Sequence, residues 1–203
     1  HKKNIALANK ESIVLSGVEL VSKAKENSVN IFPLDSEPNA IWQCLRGEKK
    51  EISKLIITAS GGALRDFTMD ELSSVTPKQA LNHPTWKMGD KITVDSATLM
   101  NKAFEVIEAH YLFDIPWEDI EVILHPESLI HSMVEFVDGS IKAQISNPDM
   151  RLPIQYALMY PQRRNNRYIK RFDPISIGSL NFMNIDYERY PQAGAEWYDN
   201  ALG

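Results

Sequence analysis

The sequence predicts an α/β (α+β) fold, with a mostly parallel mixed sheet, flanking helices and a β-hairpin. Short apolar runs alternate with segments of helical periodicity, which is typical of βαβ units. Asp138-Gly139 separates two segments of alternating polarity, which is a strong hairpin signal. The chain has 203 residues, of which 43% are hydrophobic and 24% are charged, so its composition is that of a folded globular protein.

Three strands and two helices are predicted in the first third of the chain. The strands are residues 4–8, 29–34 and 55–58. Val14, Val18 and Val21 fall at i, i+4 and i+7, which is the spacing of an amphipathic helix. Pro38 suits the first turn of a second helix, and Gly47 is placed to end it.

Two helix starts and a loop follow the third strand. Thr68 and Glu71 form a capping box, which marks a helix N-terminus. Thr76 and Gln79 form a second capping box behind the next turn. Residues 83–89 contain Pro and Gly near their ends and show no period, so they are predicted to form a loop.

Further strands and helices are predicted for the second half of the chain. They are a helix from near Thr98 to about Phe113, a strand at 120–124, hairpin arms at 134–137 and 141–145, and a helix from Pro153 that ends at Pro161.

The charge and hydropathy of the chain exclude two classes of partner. Lys and Arg number 22 against 27 Asp and Glu, a net charge of −5, whereas a duplex-binding surface needs a basic excess. No apolar run approaches the ~20 residues of a membrane span, and no signal-peptide pattern opens the chain. Cys44, the one cysteine, cannot form an internal disulfide. We therefore expect a cytoplasmic protein that binds neither nucleic acid nor membranes.

Asp35-Ser36-Glu37 places two carboxylates where a predicted strand ends and a helix begins. Residues two apart in an extended chain project to the same side, so both carboxylates would face one point. Because two adjacent anions repel, a hard cation at the carboxyl end of the strand is one interpretation. The alternative is a helix N-terminus in which these residues serve only as cap and dipole partners.

The segment from residue 95 to residue 105 carries a second set of polar side chains. In a helix that begins near Thr98, Glu105 lies four residues after Asn101 and three after Lys102, so the three share one face. Ser96 would lie ahead of the first turn, where a helix N-terminus attracts phosphate. The alternative is a capped surface helix with an ordinary Lys-Glu pair.

Other motifs are less specific. Ser60-Gly61-Gly62 follows a predicted strand as a phosphate-cradling turn would, although ordinary turns also use a glycine pair. The sequence contains neither a P-loop nor a Gly-x-Gly-x-x-Gly motif, so no dinucleotide-binding module is predicted. His125 and His131 have no Cys or His partner at zinc-site spacing, so no zinc site is predicted.

Six segments of the sequence occur together in a single order. They are LANKESIV (7–14), PLDSEPNAIWQ (33–43), TASGG (58–62), HPTWKMGDKITVDSATLMNK (83–102), ILHPESLIHSMVEF (123–136) and NPDMRLPI (147–154). Together they closely resemble the family of 1-deoxy-D-xylulose 5-phosphate reductoisomerases, NADPH- and metal-dependent enzymes of non-mevalonate isoprenoid biosynthesis. The resemblance covers residues 1–161.

The resemblance implies roles for individual residues. The residues expected to hold a Mg²⁺ or Mn²⁺ ion are Asp35, Glu37 and Glu105. Those expected around the substrate phosphate are Ser60, His83, Ser96, Asn101 and Lys102. Those expected at the reacting end of the substrate are Lys10 and Ser36, with Glu37 and Glu105 close by. Those expected near the nicotinamide cofactor are Asn9, Glu11 and Gly89, and those expected in a flap over the site are Trp86 and Met88. Those expected to be catalytic are Lys10, Glu37 and His83.

The resemblance also implies an activity and a domain organisation. The activity is the rearrangement and NADPH-dependent reduction of 1-deoxy-D-xylulose 5-phosphate to 2-C-methyl-D-erythritol 4-phosphate, in a homodimer. Residues 1–161 are expected to form a metal- and substrate-binding catalytic domain. Residues 162–203 are expected to be a linker or extension towards a C-terminal domain. Because the NADPH-binding and C-terminal helical domains of the family have no counterpart in the sequence, we expect this chain alone to be inactive.

Two positions depart from the family pattern. Pro38 stands where the family usually has His, and Ala63-Leu64 stands where it has Pro-Phe; neither is an expected ligand.

Two alternatives of different class stay open. One is a metal-dependent sugar-phosphate isomerase or aldolase without redox chemistry, and the other is a non-catalytic dimerisation fragment.

Overall fold

The structure is a computed structural model that describes residues 2–48, 51–194 and 198. Its strands and longer helices are β1 (Ile5–Leu7), α1 (Glu11–Glu26), β2 (Ile31–Pro33), α2 (Ser36–Cys44), β3 (Ile52–Ala59), α3 (Met69–Leu72), α4 (Pro77–Ala80), α5 (Asp90–Ala97), α6 (Met100–Phe113), β4 (Ile120–Leu124), β5 (Ile130–Phe136), β6 (Ile141–Ile145), α7 (Arg151–Met159) and α8 (Pro174–Ile177). Every predicted strand is present, and β3 and β5 are longer than predicted. In this part of the chain no helix has the length and hydropathy of a membrane span.

The strands form a small parallel sheet and a larger sheet that is mixed in direction, whereas one mixed sheet was predicted. β1 pairs with β2 in parallel. The larger sheet has the order β4-β3-β5-β6, in which β3 and β4 are parallel. The hairpin of β5 and β6 is antiparallel, and β5 also pairs antiparallel with β3. The mixed α/β fold is therefore confirmed, but parallel pairing is less dominant than predicted, because the hairpin joins the middle of the sheet.

Helix α6 lies at the centre of the hydrophobic core. Val106 and Ile107 of this helix belong to one buried cluster with Leu55 and Ile57 of β3. Burial of an aliphatic side chain of this size stabilises the fold by about 1.5–3 kcal/mol. The cluster therefore fixes α6 against the sheet, and with it the polar side chains at the N-terminal end of α6.

The helix predicted to begin near Thr98 begins at Met100, and a separate helix, α5, precedes it. Leu99, between the two helices, has a φ of 57°, and its side chain is buried. A left-handed residue other than Gly costs about 1–2 kcal/mol, which burial of the leucine side chain offsets. Ser96 consequently lies in the last turn of α5. Ser96 thus lies at the C-terminal end of one helix rather than directly ahead of the N-terminus of the next, where it was predicted.

The turn after β3 lies directly against the end of α5. Gly62 has a φ of 68°, and a Cβ atom placed on it would lie 2.4 Å from the carbonyl oxygen of Ser96. Only glycine avoids both the left-handed penalty and this overlap. The close approach therefore holds Ser60, at the end of β3, near Ser96.

Part of the chain beyond Gln162 packs on the rest of the fold. Met183 forms an antiparallel bridge with Leu124, and Ile185 and Tyr190 are buried in the core. The division of the chain after residue 161 stays a prediction. The second predicted segment, residues 162–203, includes residues 195–197 and 199–203, which lie outside the described residues.

The contact between Gly62 and α5 leads to a prediction for stability. Gly62→Ala should lower the free energy of unfolding by about 2–5 kcal/mol, because it adds steric overlap to the left-handed penalty. Gly47→Ala is the matched control, since Gly47 has a φ of 82° but open space around its Cα. The control should lose only about 1–2 kcal/mol in urea denaturation. Equal losses in the two variants would contradict a close approach at Gly62.

Candidate active site

A cavity of about 230 Å³ is lined by residues that follow β2 and β3. Its polar lining residues are Asp35, Ser36, Glu37, Thr58, Ser60, His83, Lys87, Ser96, Asn101, Lys102, Glu105, Ser128 and His131. Its apolar lining residues are Trp86, Met88, Ile92, Ile130 and Met150. The carboxyl ends of strands are where open α/β sheets bind ligands. All residues predicted to contact the metal or the substrate line this cavity except Lys10, which lies next to it.

Three carboxylates meet at one side of the cavity. Asp35 caps the N-terminus of α2, where its Oδ1 accepts a hydrogen bond from the Ser36 backbone N–H at 3.1 Å. Glu37 lies in the first turn of α2, and Glu105 comes from α6. One oxygen atom from each of the three carboxylates lies within 4.8 Å of the others. Asp35 therefore caps a helix, as one interpretation of Asp35-Ser36-Glu37 predicts, and its carboxylate also faces two others, while a cation among them stays a prediction.

Lys10 joins the start of α1 to this carboxylate cluster. Its buried Nζ donates to Asn101 Oδ1 at 2.8 Å and to Glu105 Oε1 at 3.2 Å, and it forms an ion pair with Asp35. Burial alone would lower the pKa of Lys10, but the surrounding carboxylates outweigh burial and raise it. The ammonium group of Lys10 is therefore stabilised in its charged form next to the cavity.

Lys102 is the second buried ammonium group of the cluster. Its Nζ donates to Glu105 Oε2 at 2.7 Å and forms an ion pair with Glu37. Glu37 also accepts a hydrogen bond from the Ser36 hydroxyl at 2.7 Å. The Asn101 amide donates to Glu105. Asn101, Lys102 and Glu105 thus share one helix face, as the sequence predicted.

The carboxyl groups of the cluster differ in their pKa. Burial, together with the neighbouring charge of Glu37, raises the pKa of Glu105 to about 7. Burial would raise the pKa of Glu37 as well, but the ammonium groups of Lys102 and Lys10, with hydrogen bonds from Lys102 and Ser36, together outweigh burial and lower it to about 2. A fourth carboxyl, Glu108, is buried as well, and burial raises its pKa well above the usual range.

The donor set of this cluster fits a hard divalent cation. Its carboxyl groups outnumber its two ammonium groups, and all of the anionic ligand atoms are oxygen. Mg²⁺ and Mn²⁺ prefer such ligands, whereas zinc and copper prefer nitrogen and sulfur. Asp35, Glu37 and Glu105 are therefore the residues that could hold a metal ion.

Ser60 and His83 form a hydrogen-bonded polar pair in the lining of the same cavity. The His83 Nδ1 accepts the backbone N–H groups of Thr85 and Trp86, each at 3.0 Å, which assigns the ring proton to Nε2. That Nε2 lies 3.2 Å from Ser60 Oγ, which also accepts the backbone N–H of Gly62 at 3.2 Å. Burial and nearby cations lower the pKa of His83. With both acceptor positions of its oxygen engaged, Ser60 keeps its O–H to donate to a ligand.

The three residues expected near a nicotinamide cofactor lie outside the cavity lining. Asn9 Oδ1 accepts the Ser12 backbone N–H at 3.0 Å at the start of α1, and Asn9 Nδ2 donates to Glu11 at 2.9 Å. Gly89 is the N-cap residue of α5. Lys91 joins the two regions, because its Nζ donates to Glu11 at 2.9 Å. The cofactor role of Asn9, Glu11 and Gly89 stays a prediction.

Several residues at the cavity and the cluster were missed by the sequence analysis. They are Thr58, Glu108, Ser128 and His131. Glu108 follows Glu105 by three residues on α6, so helical spacing could have found it. Thr58 lies within a predicted strand. Ser128 and His131 lie between the predicted strands at 120–124 and 134–137, where no pattern indicated that they face a ligand.

Comparisons with known proteins agree with the geometry. The family model for the 1-deoxy-D-xylulose 5-phosphate reductoisomerase C-terminal domain matches residues 31–113, and the model for the DXP reductoisomerase C-terminal domain matches residues 145–197. A 1-deoxy-D-xylulose 5-phosphate reductoisomerase from Acetivibrio thermocellus is 57% identical over 195 residues, which are 96% of this chain and 51% of that protein. One from Exiguobacterium sibiricum is 56% identical over 93% of this chain and 50% of the relative.

Solved structures of the same name have the same fold. A DOX-P reductoisomerase in complex with NADPH, fosmidomycin and magnesium has a TM-score of 0.92 at 42% identity, covering 100% of this chain and 52% of that one. A reductoisomerase from Zymomonas mobilis in complex with NADPH has a TM-score of 0.88 at 42% identity, covering 98% of this chain and 52% of that one. The chain thus spans about half the length of the relatives that it matches.

The carboxylate cluster leads to a prediction for metal binding. Asp35→Asn and Glu105→Gln should each weaken Mn²⁺ binding by at least tenfold in calorimetry, because each removes an anionic ligand. Asn keeps the capping ability of residue 35, so a folding defect at α2 is not expected. Glu19→Ala, an exposed position on α1, is the control and should bind Mn²⁺ as the wild type does. Unchanged affinity in both cluster variants would contradict the assignment.

Proposed function

The chain belongs to the 1-deoxy-D-xylulose 5-phosphate reductoisomerase family, and we propose that it carries the metal and substrate site of such an enzyme. The reaction is the NADPH-dependent conversion of 1-deoxy-D-xylulose 5-phosphate to 2-C-methyl-D-erythritol 4-phosphate. One observation carries the proposal: a carboxylate cluster with two buried lysines shares a cavity with the Ser60–His83 pair. A site for a phosphorylated sugar and a divalent cation needs both groups.

The carboxylate side of the cavity would receive the reacting end of the substrate. Lys10 and Ser36 lie at the carboxylate cluster, so they are placed to bind the substrate oxygens that gain negative charge. The buried ammonium of Lys10 needs no reorganisation to do so. When bound, the divalent ion would supply Lewis-acid polarisation there, and NADPH would supply the hydride.

The part of the cavity lined by Ser60 and His83 would hold the substrate phosphate. Ser60 would donate its O–H, which the Nε2–H of His83 orients, and Ser96, Asn101 and Lys102 line the same cavity. Binding energy from a phosphate remote from the reacting carbons keeps those carbons in register with the catalytic groups. Lys102 contacts Glu37 and Glu105, so one residue connects the phosphate side to the carboxylate side.

The loop at residues 83–89 would cover the bound substrate. Trp86 and Met88 are half-buried, and both line the cavity. His83 belongs to the same loop, so a ligand that binds His83 would also order the loop. Closure of an apolar residue over the site would exclude water from the reaction.

NADPH would bind beside the start of α1 and the start of α5. Asn9 and Glu11 lie at the first of these helix starts and Gly89 at the second, and Lys91 joins Glu11 to α5.

Cys44 is a free thiol in the structure, which suits the reducing cytoplasm. We place the enzyme in that compartment.

Ligand binding tests the proposed function. Adding 1-deoxy-D-xylulose 5-phosphate together with Mg²⁺ should change the fluorescence of Trp86, because the ligand would contact the loop that carries it. His83→Ala should weaken the response, since it removes the imidazole that orients the Ser60 hydroxyl. In the Trp86→Phe control the change should disappear. A response that survives in Trp86→Phe, or no Mg²⁺-dependent binding of the ligand by the wild-type chain, would overturn the proposal.

The partner of the chain would be a second copy of itself. β6 pairs with β5 on one side, and its Ile141 and Ile145 are exposed. An edge strand with exposed apolar side chains favours pairing with another chain. Light scattering at micromolar concentration should therefore give the mass of a dimer, and Ile141→Lys should shift the mass towards a monomer. A monomeric wild-type chain would contradict this assembly.

A further inference from the structure

Ser128 has a buried hydroxyl that the proposed mechanism does not use. The residue is 9% exposed, and it lines the same cavity as Ser60 and His83. Among the described residues, the Ser128 Oγ has no hydrogen-bond partner. A buried hydroxyl without a partner is unfavourable, so a ligand that supplies a hydrogen-bond partner has a favourable place to bind.

The backbone at Ser128 is held in an unfavourable conformation. Its φ is 53°, in the left-handed region that non-glycine residues rarely adopt. Its N–H donates to the carbonyl oxygen of His125 at 3.0 Å, and His125 Nε2 accepts the backbone N–H groups of Leu129 at 3.2 Å and Ile130 at 3.1 Å. His125 is itself fully buried. The loop is therefore held rigidly, and strain of this kind is typical of functional sites.

The sheet register places Ser128 on the Ser60 side of the cavity. Ile57 of β3 pairs antiparallel with Ser132 of β5, and Thr58 Oγ1 donates to the Ile130 carbonyl at 2.6 Å. In the same antiparallel register, the residue two after Ile57, which is Ala59, lies opposite the residue two before Ser132, which is Ile130. Ser60 therefore follows the end of one strand where Ser128 precedes the start of the other.

We propose that the Ser128 hydroxyl is a further binding group for the phosphate of the substrate, an inference that rests on the proposed function. Its O–H would donate to a phosphate oxygen, beside the O–H of Ser60. Phosphate oxygens are strong acceptors, and a neutral donor adds a hydrogen bond without changing the charge of the site. The strained loop would act by holding the hydroxyl in place before the ligand arrives.

Two substitutions separate the effect of the Ser128 hydroxyl from the effect of the strained backbone. Ser128→Ala and Ser128→Gly both remove the hydroxyl, but glycine also relieves the left-handed penalty. Ser28 provides matched controls, because it has the same φ of 53° at an exposed position. Calorimetry would measure the Kd of each variant for 1-deoxy-D-xylulose 5-phosphate with Mg²⁺ present, for inorganic phosphate, and for Mn²⁺. Urea denaturation would confirm that each variant is folded.

Both Ser128 variants should bind 1-deoxy-D-xylulose 5-phosphate and inorganic phosphate roughly tenfold more weakly, which is typical of losing one hydrogen bond to a charged group. Their Mn²⁺ affinity should equal that of the wild type, and Ser28→Ala and Ser28→Gly should bind all three ligands normally. Normal phosphate affinity in Ser128→Gly would overturn the proposal. So would weakened binding of the sugar phosphate with unchanged binding of inorganic phosphate. A wild-type chain that binds neither phosphate ligand would instead refute the proposed function itself.

Discussion

The two buried ammonium groups that flank Glu105 are the constraint on which the rest of the site depends. The Glu105 side chain is fully enclosed, and it lies between the ammonium groups of Lys10 and Lys102. Leaving a buried ammonium group unpaired costs several kcal/mol, so these three residues must come together as the chain folds. The requirement joins the start of α1 to α6, and Lys10 and Lys102 then hold Asp35 and Glu37 at the start of α2.

This arrangement explains why one cavity can serve two kinds of ligand group. Its carboxylate side has more acids than bases, so a divalent cation would complete it. Its Ser60–His83 pair presents the Ser60 hydroxyl as a neutral donor, and burial and nearby cations lower the pKa of His83. Lys102 lines the same cavity and forms ion pairs with Glu37 and Glu105. A ligand with a phosphate at one end and vicinal oxygens at the other matches both sides at once.

Local sequence patterns predicted the parts of the structure that local interactions decide. The capping box of Thr68 with Glu71 forms as predicted, and so does the Asp138-Gly139 hairpin. Asn101, Lys102 and Glu105 share a helix face because helical spacing alone puts them there. The break at Leu99 was missed, since burial of its side chain compensates for a conformation that local preference disfavours. Ser128 was missed for a similar reason, because its loop is fixed by His125 and by pairing with a distant strand.

The proposed function depends on a divalent cation binding among Asp35, Glu37 and Glu105. Anomalous X-ray scattering from crystals of the chain grown with Mn²⁺ tests this binding most directly. We expect a single strong peak between the three carboxylates, within coordination distance of one oxygen atom from each. A peak elsewhere in the molecule, or no peak while Lys10 and Lys102 keep their ion pairs with the carboxylates, would contradict the account.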